Sequence, residues 1–215
     1  MSLPRRLALL DYARRHRAWV VEDDYDSEFR FSGHPIPSLQ GLARGGPVIY
    51  IGTFSKTLYP GLRVAYVVAP PHLVDALRKS HAELYREGHL LTQAALAEFM
   101  RQGHYAAHIR RMRLVYAARR AALTSLIATR LGANWLWRDE SNAGLHLVLS
   151  LPHGLDDVQV AQRALEKGVL VRPLSRYYAG KEAERGLLLG FACVREDEML
   201  DPVEKLAEVL ARSGT

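Results

Sequence analysis

The sequence predicts an α/β protein whose C-terminal part is a compact α+β unit. Apolar runs predict strands at 19–23, 48–53 and 63–69, with helices or loops between them. Such continuous apolar strands are typical of a sheet that is covered on both faces. After residue 131 the segments become shorter, with predicted strands at 144–151, 169–173 and 187–193 and predicted helices at 156–167 and 197–212.

Three further helices are predicted earlier in the chain. The first covers 2–17, where Ser2 is a suitable cap and Pro4 is tolerated in the first turn. A helical pattern covers 72–103 with a break at Gly88, and a second long helix covers 104–131. The apolar side of the first helix is formed by Leu7, Leu10, Tyr12 and Ala13.

We place a domain boundary near residue 104, which gives a large-domain portion at 1–103 and a small domain at 104–215. The first predicted strand has no preceding partner strand. We therefore expect the sheet to begin before Met1 and the chain to be the C-terminal part of a longer protein.

The composition excludes several classes of protein. The 215 residues are 48% hydrophobic and 24% charged, which is ordinary for a globular protein. A single cysteine, Cys193, excludes a disulfide framework and a cysteine-based zinc site, and fits a reducing cytoplasm. No apolar run reaches the roughly 20 residues of a membrane span. The net charge of +6 comes largely from arginines in the helix at 104–131, a pattern typical of a solvated face. His104 and His108 lack a third ligand, so no metal site is predicted.

One lysine stands among residues that suit an anionic, electrophilic cofactor. Asp23 ends the first predicted strand, at the edge where open α/β sheets bind ligands. Lys56 follows the second strand, between the hydroxyls of Thr53 and Ser55 and the guanidinium of Arg63. A lysine amine attacks an aldehyde when neutral, and an arginine fork suits a phosphate.

These two blocks, 22–30 and 52–66, resemble the aminotransferase-like domain of MocR/GabR-type regulators of the GntR family. The resemblance implies a partial large domain of the pyridoxal-phosphate-dependent transferase fold (fold type I), with an α+β C-terminal small domain. It also implies that Lys56 forms a Schiff base with pyridoxal 5'-phosphate and that an amino acid or amine effector forms an external aldimine.

The resemblance assigns a role to each remaining residue. Asp23 holds the pyridine nitrogen protonated, with Asp24 as the competing assignment or as a loop-capping carboxylate. Tyr25 bonds the ring hydroxyl, and Thr53 and Arg63 bind the phosphate. Ser55 is assigned to the phosphate or to backbone groups.

A small-domain arginine is implied to bind the effector carboxylate. The segment 173–177, Pro-Leu-Ser-Arg-Tyr, favours Arg176, with Arg172 as the alternative. By the same resemblance, more typical stand-alone aminotransferases take that arginine from the later strand. In this sequence that strand is 187–192 and contains no arginine. This favours an effector-sensing regulator domain. A stand-alone class I/II aminotransferase is the alternative, and a remnant that cannot hold the cofactor is a third possibility.

Further expectations come with the resemblance. The full-length protein is expected to be a homodimer without membrane contact, and to touch DNA only through a winged-helix region absent from this chain. The glycine-rich phosphate loop and the ring that stacks on the cofactor are also expected outside it. We therefore expect the isolated 215 residues to bind the cofactor weakly and to be non-monomeric.

Overall fold

The computed structural model describes residues 1–31, 36–86, 88–136, 143–180 and 183–213. The described chain divides into two compact units. The first comprises 1–111 with 143–144, and the second comprises 112–136 with 145–213.

The first unit carries a small sheet and the helices around it. Its helices are α1 (Leu3–Arg15), α2 (Leu39–Ala43), α3 (Pro71–Tyr85) and α4 (Leu90–Arg101), and its strands are β1 (Val20–Asp24), β2 (Val48–Thr53) and β3 (Ala65–Val68). Helix α5 (His104–Arg130) begins in this unit and continues into the second. Within the described residues, no helix is long and apolar enough to cross a membrane.

The three strands lie in the order β1-β2-β3. Strand β1 runs parallel to β2, and Asp24 is opposite Gly52. Strand β2 runs antiparallel to β3, and Thr53 is opposite Ala65. The last residues of β1 and β2 and the first residue of β3 therefore lie at one edge of the sheet.

One face of this sheet is covered by helices. Leu10 of α1, Leu39 and Ala43 of α2, and Val48 of β2 form a buried apolar cluster. Val20 packs against this cluster from β1. On the opposite face Val21 is 60% exposed and Val67 is 53% exposed. The apolar strands predict a sheet that is covered on both faces. Among the described residues, helices cover only one face of this sheet.

The predictions for this unit agree well with the structure, with three informative differences. Strand β2 covers the predicted 48–53, and Gly88 separates α3 from α4 with a φ of +60°. Strand β3 begins at Ala65 because Arg63 has a left-handed backbone with a φ of +51°. Ser2 precedes α1, but its side chain makes no capping hydrogen bond. Leu7 and Tyr12 are exposed, so only part of the predicted apolar side of α1 is buried.

The second unit is the predicted α+β arrangement. Strand β4 (His146–Ser150), strand β5 (Arg172–Pro173) and strand β6 (Gly186–Gly190) form an antiparallel sheet in the order β4-β6-β5. Helices α6 (Asp157–Glu166) and α7 (Leu200–Ser213) complete the unit. Its buried apolar residues include Ile127, Leu149, Val160, Ala164, Leu187, Phe191 and Leu206.

Strand β5 is shorter than predicted because the chain is still leaving α6 at Val169. The Val169 backbone N–H donates to the Ala164 carbonyl over 2.9 Å, which closes the end of the helix. After β5 the backbone forms a short 3-10 turn at Leu174–Tyr177. That turn carries Arg176.

Candidate functional site

Asp23 and Asp24 lie at the carboxyl end of β1 but on opposite faces of the sheet. Side chains alternate between faces along a strand, and paired residues on neighbouring strands share a face. Asp24 therefore lies on the face of Tyr50, and Asp23 lies on the face of Thr53. Two adjacent carboxylates thus have different surroundings.

The Asp24 carboxylate is occupied by neighbouring groups. The Tyr50 hydroxyl donates to its Oδ2 over 2.9 Å. The Ser27 hydroxyl donates to Oδ2 over 2.7 Å, and the Ser27 backbone N–H donates to Oδ1 over 3.2 Å. Burial raises the pKa of Tyr50, as do its hydrogen bonds with Tyr66 and Asp24 and the charge of Asp24, so the phenol stays protonated. These contacts are those of a carboxylate that closes a loop.

Asp23 has different contacts. Its side chain is exposed and makes no hydrogen bond or ion pair with any of the described residues. It lies on the same face as Thr53, whose backbone ends β2 at the same sheet edge. Tyr25 follows the strand and is 42% exposed. The acceptor capacity of the Asp23 carboxylate is therefore available to a bound cation or donor.

Lys56 lies in the tight turn that follows β2. The Phe54 N–H donates to the Val64 carbonyl over 3.0 Å, and the Leu58 N–H donates to the Phe54 carbonyl over 2.9 Å. The Ser55 N–H donates to Thr53 Oγ1 over 3.2 Å. These bonds fix the backbone on both sides of Lys56. Its side chain is exposed and has no partner among the described residues.

Thr57, directly after the lysine, anchors the turn in the unit. Its side chain is 2% exposed. The Tyr105 hydroxyl donates to Thr57 Oγ1 over 3.2 Å, and burial raises the Tyr105 pKa, which keeps that hydroxyl protonated. His108 Nε2 lies 2.9 Å from the Thr57 carbonyl oxygen. A carbonyl only accepts, so this nitrogen carries the proton.

These anchoring residues were not among those predicted from the sequence. Tyr105 and His108 lie 48 and 51 residues after Thr57, and no local pattern indicates that α5 reaches the lysine turn. The one sequence feature that could have indicated this anchor is the hydroxyl of Thr57, directly after Lys56. Within the described residues, no group of three or more His, Cys, Asp or Glu side chains could hold a metal ion.

Removing the Thr57 hydroxyl is expected to loosen this anchor. In Thr57→Val the Tyr105 hydroxyl loses its acceptor in a partly buried place, and we expect a loss of about 1–2 kcal/mol in the free energy of unfolding. Tyr105→Phe removes the other member of the same bond. Urea unfolding of both single variants and the double variant gives their coupling energy. We expect a coupling of about 0.5–1.5 kcal/mol, and strictly additive effects would contradict the anchor.

Arg63 lies at the same sheet edge and has a left-handed backbone. It is exposed, ends the 3-10 turn Pro60–Leu62, and has a φ of +51°. A left-handed backbone is common where a helical turn ends, and Arg17, Arg44 and Arg86 also have a positive φ, so this conformation by itself does not mark a site. Its position two residues before β3 places it beside the end of β2, where Thr53 lies. The guanidinium has no partner among the described residues.

The predicted effector arginines belong to the second unit. Arg176 is exposed within the turn Leu174–Tyr177, and Arg172 is exposed in β5. Both line an open cavity of about 440 Å³ whose other wall is formed by α6. Neither guanidinium bonds to another described residue. The two alternatives left open by the sequence thus lie on one surface.

Comparison with known proteins identifies the family. The sequence pattern described as Aminotransferase class I and II matches residues 1–206. The chain belongs to this family. Fold and sequence therefore agree on an α/β aminotransferase-like structure, as predicted from the two sequence blocks.

Several relatives of this aminotransferase-family chain are transcription regulators. It is 42% identical over 206 residues to the "Probable rhizopine catabolism regulatory protein MocR" of Rhizobium meliloti, covering 96% of this chain and 42% of that protein. It is 37% identical over 206 residues to an uncharacterized HTH-type transcriptional regulator, YhdI, of Bacillus subtilis, with 96% and 44% covered. The resemblance to MocR-type regulators is thus confirmed.

A solved enzyme structure shares the fold. The α-aminoadipate aminotransferase LysN of Thermus thermophilus, complexed with N-(5'-phosphopyridoxyl)-L-leucine, matches with a TM-score of 0.85 and 30% identity. The match covers 98% of this chain and 55% of that one. The chain spans about half the length of the proteins it matches.

Proposed function

We propose that this chain holds pyridoxal 5'-phosphate and serves as the effector-sensing part of a MocR-type transcription regulator. One observation carries the proposal. A free carboxylate (Asp23), an exposed lysine (Lys56) and an exposed arginine (Arg63), none with a partner among the described residues, lie at one sheet edge. The similarity to regulators of this type supports the same conclusion.

The donor set fits the cofactor. When bound, pyridoxal phosphate supplies an aldehyde for amines and a ring that accepts electrons. Its phosphate needs N–H or O–H donors, and Arg63, Thr53 and Ser55 provide a guanidinium and two hydroxyls at the sheet edge. Its ring nitrogen needs an acceptor, and the Asp23 carboxylate has no other partner among the described residues.

Each of the remaining site residues then has a defined role toward the cofactor. Lys56 would present its amine to the aldehyde from a turn whose backbone is fixed on both sides. Asp23 keeps a proton on the ring nitrogen, because a carboxylate stabilises a pyridinium. Tyr25, directly beyond β1, donates to or accepts from the ring hydroxyl.

The effector is proposed to be an amino acid or amine. Arg176, with Arg172 as the alternative, takes the effector's carboxylate through the planar fork of its guanidinium. A homodimer, a cytoplasmic location and DNA contact through a winged-helix region outside this chain belong to the same proposal. They follow from the regulators that it resembles.

A stand-alone aminotransferase is the second candidate, favoured by the likeness to LysN. Incubating the cofactor-loaded chain with an amino acid and a 2-oxo acid separates the two candidates. A sensing domain is expected to change its absorption spectrum when the amino acid is added, without continued formation of a new amino acid. Sustained production of that amino acid would favour the enzyme.

The two adjacent aspartates provide the test of the site. Asp23→Asn is expected to weaken cofactor binding about tenfold or more, because a neutral amide loses a charge-assisted bond to the ring nitrogen. Asp24→Asn makes the same change in charge one residue away, at a carboxylate already bonded to Tyr50 and Ser27. Absorption titrations with pyridoxal phosphate measure both. Equal weakening in the two variants would contradict the assignment.

A further inference from the structure

The second unit contains a completely buried carboxylate. Asp157, the first residue of α6, has a side chain with 0% exposure. An ionised carboxylate is costly to remove from water unless hydrogen bonds and opposite charge compensate it. Asp157 therefore requires hydrogen-bond donors, and the positions of these donors show which segments of the chain it connects.

Asp157 has four hydrogen-bond donors. The Ser175 N–H donates to Oδ2 over 2.8 Å, and the Ser175 hydroxyl donates to Oδ1 over 2.7 Å. Arg185 Nη1 donates to Oδ1 over 3.0 Å, and the Gly186 N–H donates to Oδ2 over 3.4 Å. Burial alone would raise the pKa of Asp157, but the bonds from Ser175, Arg185 and Gly186 outweigh it and lower the pKa.

Both of the shortest bonds go to Ser175, the residue directly before Arg176. The other fixed points of this segment are the pairing of Pro173 with Leu187 and the Tyr178 N–H bond to the Ser175 carbonyl over 3.1 Å. Between them the guanidinium of Arg176 is exposed and without a partner among the described residues. Hydrogen bonds thus fix the backbone on both sides of Arg176, while the Arg176 guanidinium remains available to a ligand.

Helix capping does not account for the buried charge, because the neighbouring Asp156 performs that task. Its carboxylate accepts from the N–H groups of Val158 and Gln159 over 2.9 and 3.4 Å. Asp156 is 43% exposed, as expected for a cap. A buried ionic group contributes little net stability over an apolar residue of the same volume, and its attested use is to select one conformation.

We infer that Asp157 is the positioning residue for Arg176: it fixes the turn Leu174–Tyr177 so that the Arg176 guanidinium is placed for the carboxylate of an amino-acid ligand. The inference rests on the proposed function for the ligand, whereas the anchoring of the turn stands on the contacts of Asp157 alone. Asp157 acts through Ser175 and does not touch the ligand.

Trypsin measures the anchoring without any ligand or cofactor. Cleavage after Arg172 is blocked by Pro173, so within 172–177 trypsin cuts only between Arg176 and Tyr177. Asp157→Asn places an amide group against donors and is expected to speed this cut about tenfold, the factor for one charge-assisted hydrogen bond. Cleavage after Arg195 serves as the internal reference. Asp156→Asn, a matched control at the same helix end, is expected to leave the rate unchanged.

Ser175→Ala is a second variant that tests the same contact if Asp157→Asn fails to fold. It removes one donor and no charge, so a smaller acceleration in the same direction is expected. Unchanged cleavage in both Asp157→Asn and Ser175→Ala would overturn the inference and leave the proposed function standing.

Two matched probes measure the consequence for ligand binding in the cofactor-loaded chain. L-Alanine carries a carboxylate, and ethylamine has the same carbon–nitrogen skeleton without one. Asp157→Asn is expected to weaken L-alanine binding about tenfold and leave ethylamine unchanged, and Arg176→Ala is expected to do the same. Equal loss for both probes, or no loss, in Asp157→Asn overturns the positioning role. If Arg176→Ala leaves L-alanine binding intact, or the unaltered chain ignores L-alanine, the proposed function of Arg176 fails and the inference fails with it.

Discussion

Lys56→Ala is expected to reduce the borohydride-stable attachment of pyridoxal phosphate to the level of an untreated blank. The attachment requires an amine that reaches the aldehyde and is free of competing bonds. Lys56 meets this requirement, because it is exposed and has no partner among the described residues. Lys167 and Lys205 are instead ion-paired with Glu208 and Asp201. Mass spectrometry of peptides after reduction locates the label.

Two variants serve as controls for that result. Lys79→Ala removes the same charge from an exposed position on α3 and should retain full labelling. Lys56→Arg keeps the positive charge but lacks the reactive amine, and should label no better than Lys56→Ala. A label that persists in Lys56→Ala, or that maps to another lysine, would show that the site is assigned to the wrong residue.

The sequence predicts the secondary structure well wherever periodicity and breakers agree. Strand β2 and the break at Gly88 lie where they are predicted. The prediction for β3 is two residues too long at its start, because apolar pattern alone does not report backbone handedness at Arg63. Arginine is also a residue from which a left-handed conformation is not expected.

The choice between Asp23 and Asp24 illustrates a limit of sequence reasoning. Two adjacent carboxylates at a strand end have nearly the same local context. Strand register assigns them to opposite faces, and the bonds from Tyr50 and Ser27 occupy only Asp24. Ser27 is a local partner, but Tyr50 lies 26 residues away, so this part of the distinction depends on tertiary structure. The assignment of Asp23 to the cofactor stays a prediction.

Asp157 shows the same limit more strongly. An acidic residue in the first turn of a helix normally indicates a solvated group that favours the helix dipole. Its neighbour Asp156 fits that description, whereas Asp157 is fully buried and accepts hydrogen bonds from Ser175, Arg185 and Gly186. Nothing within a few residues of position 157 in the sequence indicates this network, which joins segments 18 to 29 residues apart.

Asp157→Asn is expected to lower the free energy of unfolding by roughly 3 kcal/mol near neutral pH. The donors of Ser175, Arg185 and Gly186 lose a charged acceptor, and two of the four donors face an amide N–H₂ instead. Asp156→Asn keeps a capping oxygen at an exposed position and is expected to change stability by less than about 0.5 kcal/mol. Urea unfolding of both variants measures the difference.

The pH dependence separates charge from packing as the source of that loss. The folded-state pKa of Asp157 is lowered, so its contribution is complete above the ordinary carboxyl pKa of about 3.9 and disappears as the pH falls through the lower folded value. The stability gap between the original chain and Asp157→Asn should therefore be widest near neutral pH and narrow below about pH 4. Asn resembles the protonated carboxyl in shape, so the two proteins converge once Asp157 is neutral. A gap of constant size down to acid pH would mean that the carboxylate charge does not hold the turn.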